Sequence, residues 1–260
     1  MIATSPVLRR LFAALACLLA GCASPPAGEA LAPVSPSKTS EYLIDQGLRH
    51  LGEGRSDEAR RYFAALLKLD PRDARGHFLM ASLQHVRAEG GERLAIDFAD
   101  VGYRQALEFD PAFWPAAQGL GRLYLIDRRY DDARTQFARA ALLRPGEPEV
   151  LNDLAVASYY VGDVTSAASA IREALRLRPG EAAFLRTEAL VSAAAGDDAA
   201  SRKTAAALRA PLGEVEWRRL ERRLDDWAAF HQRDGAILLA QDSSGSPATS
   251  VAALPVPKPP

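Results

Sequence analysis

Four segments of this chain end alike, at Leu69-Asp70-Pro71, Phe109-Asp110-Pro111, Leu143-Arg144-Pro145 and Leu177-Arg178-Pro179, and their prolines are spaced by 40, 34 and 34 residues. Proline has no amide hydrogen and clashes with the preceding turn, so each of these positions closes one helix and opens the next turn. A period of this length is one supersecondary unit, too small to bury its own apolar face, which becomes stable by stacking on its neighbours. The composition agrees. Ala and Leu dominate, β-branched residues are sparse and only 7% of residues are aromatic, which suits helices that bury small side chains and excludes an all-β fold.

Inside the units, small and large residues recur in order. The third unit reads Leu120-Gly121-x-x-Tyr124, then Ala133, Phe137, Ala140 and Pro145. The first has Gly47, Ala59, Phe63 and Pro71, and the fourth Leu154, Ala155, Ala167, Ile171, Ala174 and Pro179. The pairs Gly47/Ala59, Ala81/Ala99, Gly121/Ala133 and Ala155/Ala167 would let two helix backbones approach. Phe63, Tyr103, Phe137 and Ile171, four residues on, would fill the space between units. This pattern and its 34-residue period resemble the tetratricopeptide repeat (TPR), a pair of antiparallel helices. The expected fold is therefore all-α, a TPR solenoid over residues 40–212 with four units and a degenerate fifth.

The 40-residue interval implies six extra residues, expected at Arg87-Ala88-Glu89-Gly90-Gly91-Glu92, where the turn between the two helices should fall, either as a partner-contacting loop or as a lengthened turn and second helix. In the fifth unit Pro211 arrives early and Ala205 takes the place of the large filler, as suits the end of a solenoid. Residues 213–241 carry Trp217, Leu220, Leu224, Trp227 and His231 at helical spacing, which predicts a capping helix. Its other face holds Arg218, Arg219, Arg222 and Arg223, but Glu216, Glu221, Asp225 and Asp226 are interspersed, favouring a solvated face over lipid or nucleic-acid contact. Residues 242–260 have the composition of a Pro/Ser-rich linker.

The beginning of the chain has a different character. Arg9 and Arg10 precede the apolar run Leu11 to Ala20, too short to span a bilayer as a helix, so residues 1–21 are expected to be a secretory signal. Arg9-Arg10-Leu11-Phe12 is similar to a twin-arginine signal, but nothing downstream suggests a cofactor, and the general secretory route is favoured. Leu19-Ala20-Gly21-Cys22 resembles the bacterial lipobox, which implies that Cys22 becomes a lipidated N-terminus. Cys17 is the only other cysteine, so the body would carry no thiol. Ala23 and Ser24 resemble an outer-membrane sorting signal, which implies the periplasmic face of that membrane. Residues 22–39, with Pro25, Pro26, Pro33 and Pro36, read as a tether.

Chemistry is not indicated. The histidines His50, His77, His85 and His231 form no H-E-x-x-H or similar metal pattern, and Gly119-Leu120-Gly121 lacks the third glycine of a dinucleotide loop. No cofactor, metal or catalytic residue is expected. A net charge of −1, from 32 basic and 33 acidic residues, argues against nucleic acid as partner.

The TPR resemblance implies a groove lined by the first helix of each unit. Its register places there Ile44, Leu48 and Leu51, then Arg75, Phe78 and His85, then Gln118, Arg122 and Leu125, then Asn152, Val156 and Tyr159, and finally Arg186. Such a surface suits an extended peptide or a helix with acidic character. Chaperone-type TPR domains grip a C-terminal carboxylate through Lys and Asn in the first unit, where this chain has Ile44 and Leu48. The whole resembles TPR lipoproteins that help assemble pili and secretin channels, of tight-adherence or type IV type. That implies a lipid-anchored, non-enzymatic scaffold for protein partners. An adaptor recruiting a cell-wall hydrolase is the alternative.

Overall fold

A computed structural model describes the backbone of residues 36–244, with side chains over 39–233. The signal, lipobox and Cys22, most of the tether, and the tail beyond Ser244 lie outside the described residues. The described residues form eleven α-helices and no strand. They fall into two compact units, divided after Leu143.

The first unit holds three antiparallel hairpins: α1 (Pro36–Gly52) with α2 (Ser56–Leu69), α3 (Ala74–Glu89) with α4 (Arg93–Phe109), and α5 (Trp114–Ile126) with α6 (Tyr130–Leu143). α2 packs on α3, α4 packs on α5, and the first helices α3 and α5 also touch. The second unit holds α7 (Pro148–Tyr160) with α8 (Val164–Leu177), and α9 (Ala182–Ala194) with the short α10 (Asp198–Ala206). The last helix, α11 (Arg209–Ser244), is bent at Gly213, whose φ of 72° is not helical, and packs on α9 and α10.

Every hairpin turns on three residues, and all five turns have one form. In the first, the amide of Gly54 donates to Leu51 O and that of Arg55 to His50 O; the pairs Gly91/Ala88 with Glu92/Arg87, Arg128/Leu125 with Arg129/Tyr124, Gly162/Tyr159 with Asp163/Ser158, and Gly196/Ala193 with Asp197/Ser192 repeat it. These bonds satisfy the last carbonyls of the first helix and put the middle turn residue in the left-handed region. That residue is glycine in four hairpins, with φ between 79° and 92°, and Arg128 in the third, with φ 59°. Asp73, Asp163 and Asp197 cap the helices that follow them by accepting backbone amide hydrogens.

The six extra residues of the second unit lie at the hairpin end, as expected, but not as a loop. The turn Gly90–Glu92 keeps its three residues, while α3 and α4 have 16 and 17 residues against 13 and 14 in the third hairpin. Each helix therefore gains three residues, about 4.5 Å of height. A Schellman turn has a fixed length, so the insertion is absorbed where each added residue gains a helical hydrogen bond.

The small positions also do more than the sequence suggested. A Cβ on Gly47 would meet the Phe63 ring at 2.2 Å, and one on Gly121 would meet the Phe137 ring at 2.7 Å. In these two hairpins the tightest contact of the glycine is with the aromatic of its own hairpin, four residues beyond the alanine it was paired with. Tyr103 does reach between hairpins, with its ring against Gly119 of the next one.

Candidate protein-binding surface

The first helices of the hairpins carry the positions assigned to the groove, and packing divides them. Ile44, Leu51, Phe78, His85, Gln118, Asn152 and Tyr159 are buried. Leu48, Arg75, Arg122, Leu125 and Val156 are partly exposed, and Arg186 is exposed. The buried seven are packing residues that a ligand does not reach in this structure. The remaining six are the surface that these positions offer.

In the first unit Arg75 joins two hairpins. It pairs with Asp73 at 2.8 Å and with Glu41 on α1. The hydrogen bonds that the guanidinium donates to Asp73 hold it above its already high pKa, against the opposing effect of burial. Burial pushes the Asp73 carboxyl up, but the hydrogen bond and charge of Arg75 outweigh it and leave the pKa below the ordinary value. Arg75 is thus tied into the scaffold, with a third of its side chain exposed.

His85, Arg122 and Tyr103 come together. The His85 ring is 1% exposed, with Nδ1 3.1 Å from the Tyr103 hydroxyl. Its Nε2 has no hydrogen-bond partner, and the nearest carboxylate, that of Glu89, lies 3.9 Å away. Burial, aided by the charge of Arg122, pushes the His85 pKa down to about 4. At neutral pH the ring is therefore uncharged. Burial likewise pushes the Tyr103 phenol up. The Ser82 hydroxyl donates to Phe78 O at 2.8 Å and lies 3.5 Å from the Tyr103 hydroxyl. The sequence reading missed Glu89, although it stands one helical turn after His85 on the same face.

In the second unit Tyr159 is covered by the chain itself. Trp227 of α11 donates its indole hydrogen to the Tyr159 hydroxyl at 2.9 Å, and the Arg223 guanidinium stands 5.8 Å from the centre of the Tyr159 ring. Tyr159, Leu190, Val191, Leu220, Leu224 and Trp227 belong to one apolar cluster. Tyr159 was assigned to the groove, and α11 occupies that place. His231 also bonds inward, to Ala193 O at 3.0 Å.

Among the described residues no three His, Cys, Asp or Glu side chains gather into a metal-binding group, and no helix is long and apolar enough to cross a membrane.

Known proteins share this arrangement. The tetratricopeptide repeat family model matches residues 44–88, which run from α1 through α3. No curated protein sequence matches the chain. Among solved structures, that of PilF from Pseudomonas aeruginosa is similar with a TM-score of 0.62 and 21% identity, covering 81% of this chain and 95% of that one. MamA is similar with a TM-score of 0.53 and 13% identity over 82% of this chain and 99% of MamA. A thermophilic TPR protein of Thermus thermophilus gives 0.54 and 17% identity over 71% and 98%. At these identities the likeness is one of fold, and the fold is a TPR-like helical solenoid.

Proposed function

We propose that this protein is a lipid-anchored interaction scaffold at the periplasmic face of the bacterial outer membrane, and that it assists assembly of a pilus or secretin channel. The observation that carries the binding role is the partly exposed set Leu48, Arg122 and Leu125 on the first helices of the first unit. Each of these two helices is fixed within its hairpin by a ring-on-glycine contact, Gly47 against Phe63 and Gly121 against Phe137, so their side chains are positioned before a partner arrives. Apolar side chains beside a cation suit a peptide or helix of some acidic character.

The anchor rests on Leu19-Ala20-Gly21-Cys22 after a charged start and an apolar run. The pilus reading draws support from the fold shared with PilF over 95% of that chain. Two arms of one experiment test the proposal. In fractionated cells Cys22→Ser should move the protein from membrane to soluble periplasm, and unchanged membrane association would remove the anchor. Purification from detergent-solubilised membranes should bring down a secretin or pilus subunit; a cell-wall hydrolase in its place would replace this reading with the adaptor one.

A further inference from the structure

α4, the second helix of the extended hairpin, carries three large apolar side chains into solvent: Leu94, Phe98 and Val101 are 72%, 65% and 54% exposed. Spacings of four and three residues put them in one stripe. The stripe faces away from the buried Ala99, Tyr103 and Ala106 of the same helix. It exposes on the order of 300 Å² of apolar surface, a size at which a contiguous patch commonly marks a contact site.

Charges beside the stripe say what covers it. Along one flank run Arg93, Asp97, Arg104 and Glu108, all exposed; Arg93 also pairs with Asp127 of its own chain at 2.6 Å, through one of its five guanidinium hydrogens. Arg104 is braced by Asp100 at 2.8 Å and the Tyr124 hydroxyl at 2.9 Å, which leave further guanidinium hydrogens unused. Read backwards, the series sets every charge opposite its complement. In an antiparallel helix pair the same flank of each helix meets the other, so two copies related by a two-fold axis place Asp97 beside the partner's Arg104 and Arg93 beside the partner's Glu108. The same register brings Val101 against the partner's Val101 across the axis, with the two Phe98 rings on either side of that pair. A parallel pair in register would set like charges together.

We infer that the Leu94-Phe98-Val101 stripe is a self-association surface, on which α4 of a second copy of this chain docks antiparallel. One helix face buries less than a standard interface, so the dimer forms reversibly with rising concentration. Leu94 stands in the first turn of α4, at the hairpin end where the six extra residues lie, which gives the insertion a use.

Light scattering of the full chain in non-ionic detergent, with micelles in excess, reads the protein mass as concentration rises. The wild-type chain should pass from monomer to dimer, and Phe98→Glu should remain monomeric with unchanged helicity. Asp97→Arg should weaken the dimer about tenfold, and adding Arg104→Asp should restore it, because the exchanged flank is again complementary to itself. A wild-type chain that is monomeric throughout, a dimer indifferent to Phe98→Glu, or a charge exchange that restores nothing would overturn the inference and leave the stripe to another occupant.

Discussion

The ring of Tyr103 lies so close to Gly119 that a Cβ there would stand 2.7 Å from it. This contact joins the second hairpin to the third, and both residues are buried. Gly119→Ala should therefore force the ring or the helix to move and destabilise the first unit by about 1–3 kcal/mol. Gly146, where an added methyl would meet nothing within 4 Å and φ is not positive, is the control: Gly146→Ala should leave the unfolding midpoint in denaturant nearly unchanged.

The Tyr103 hydroxyl also meets His85, whose pKa is pushed down to about 4 by burial and by Arg122. The unfolded ring titrates near 6.5, so between these values the unfolded chain binds the extra proton and stability falls as pH falls. The loss should begin as pH drops through about 6.5 and level off near 4, amounting to about 3 kcal/mol at most. Unfolding curves of the wild type and of His85→Leu across this range isolate the effect. If both chains lose stability in parallel, His85 is not its source.

Arg128 holds a left-handed conformation that glycine holds in the other four hairpins. Arg128→Gly should relieve steric strain that exceeds the added freedom of the unfolded chain, raising stability by about 0.5–1 kcal/mol. Thermal unfolding followed by circular dichroism checks this. The reverse change at an equivalent position, Gly162→Arg with φ 83°, should lower the midpoint.

Arg122 is, with Arg75, one of two cations on the partly exposed surface of the first unit. Arg122→Glu should weaken capture of an acidic partner about tenfold or more while leaving the far-ultraviolet spectrum unchanged. Because the Arg122 charge also depresses the His85 pKa, the same variant should make the acid loss of stability smaller and let it level off at a higher pH. Undiminished capture, measured by pull-down, would take Arg122 out of the binding surface.

Trp227 is 7% exposed and ties α11 to Tyr159. Trp227→Ala should cost the second unit about 3–5 kcal/mol through lost packing, and it leaves the Tyr159 hydroxyl without that donor. Near-ultraviolet circular dichroism and a urea titration would report both the loosening and the lost stability.

The hairpins could be read from residues alone because their causes are local. Pro71, Pro111, Pro145 and Pro179 stop helices through their own backbone chemistry, and Gly47 with Phe63 or Gly121 with Phe137 recur at a spacing set by helical periodicity. The form of the insertion was harder to foresee. Nothing in Arg87 to Glu92 by itself says that the turn stays at three residues while both helices lengthen, since that follows from the Schellman bonds of Gly91 and Glu92 to the end of α3.

Repeat register placed thirteen residues along one face of the first helices, and it could not say which of them solvent reaches. His85 is buried because Tyr103, 18 residues away, stands against it, and Tyr159 because Trp227, 68 residues away, lies over it. The sequence by itself determined the period, the helix pairs and the order of small and large positions, since proline, glycine and helical spacing act within a turn or two of the chain. Only the tertiary structure decided that Leu48 and Arg122 stay accessible while Ile44, Phe78 and Gln118 do not, and that Leu94, Phe98 and Val101 face water. Burial is a property of which distant segments meet, and neither periodicity nor composition carries that information.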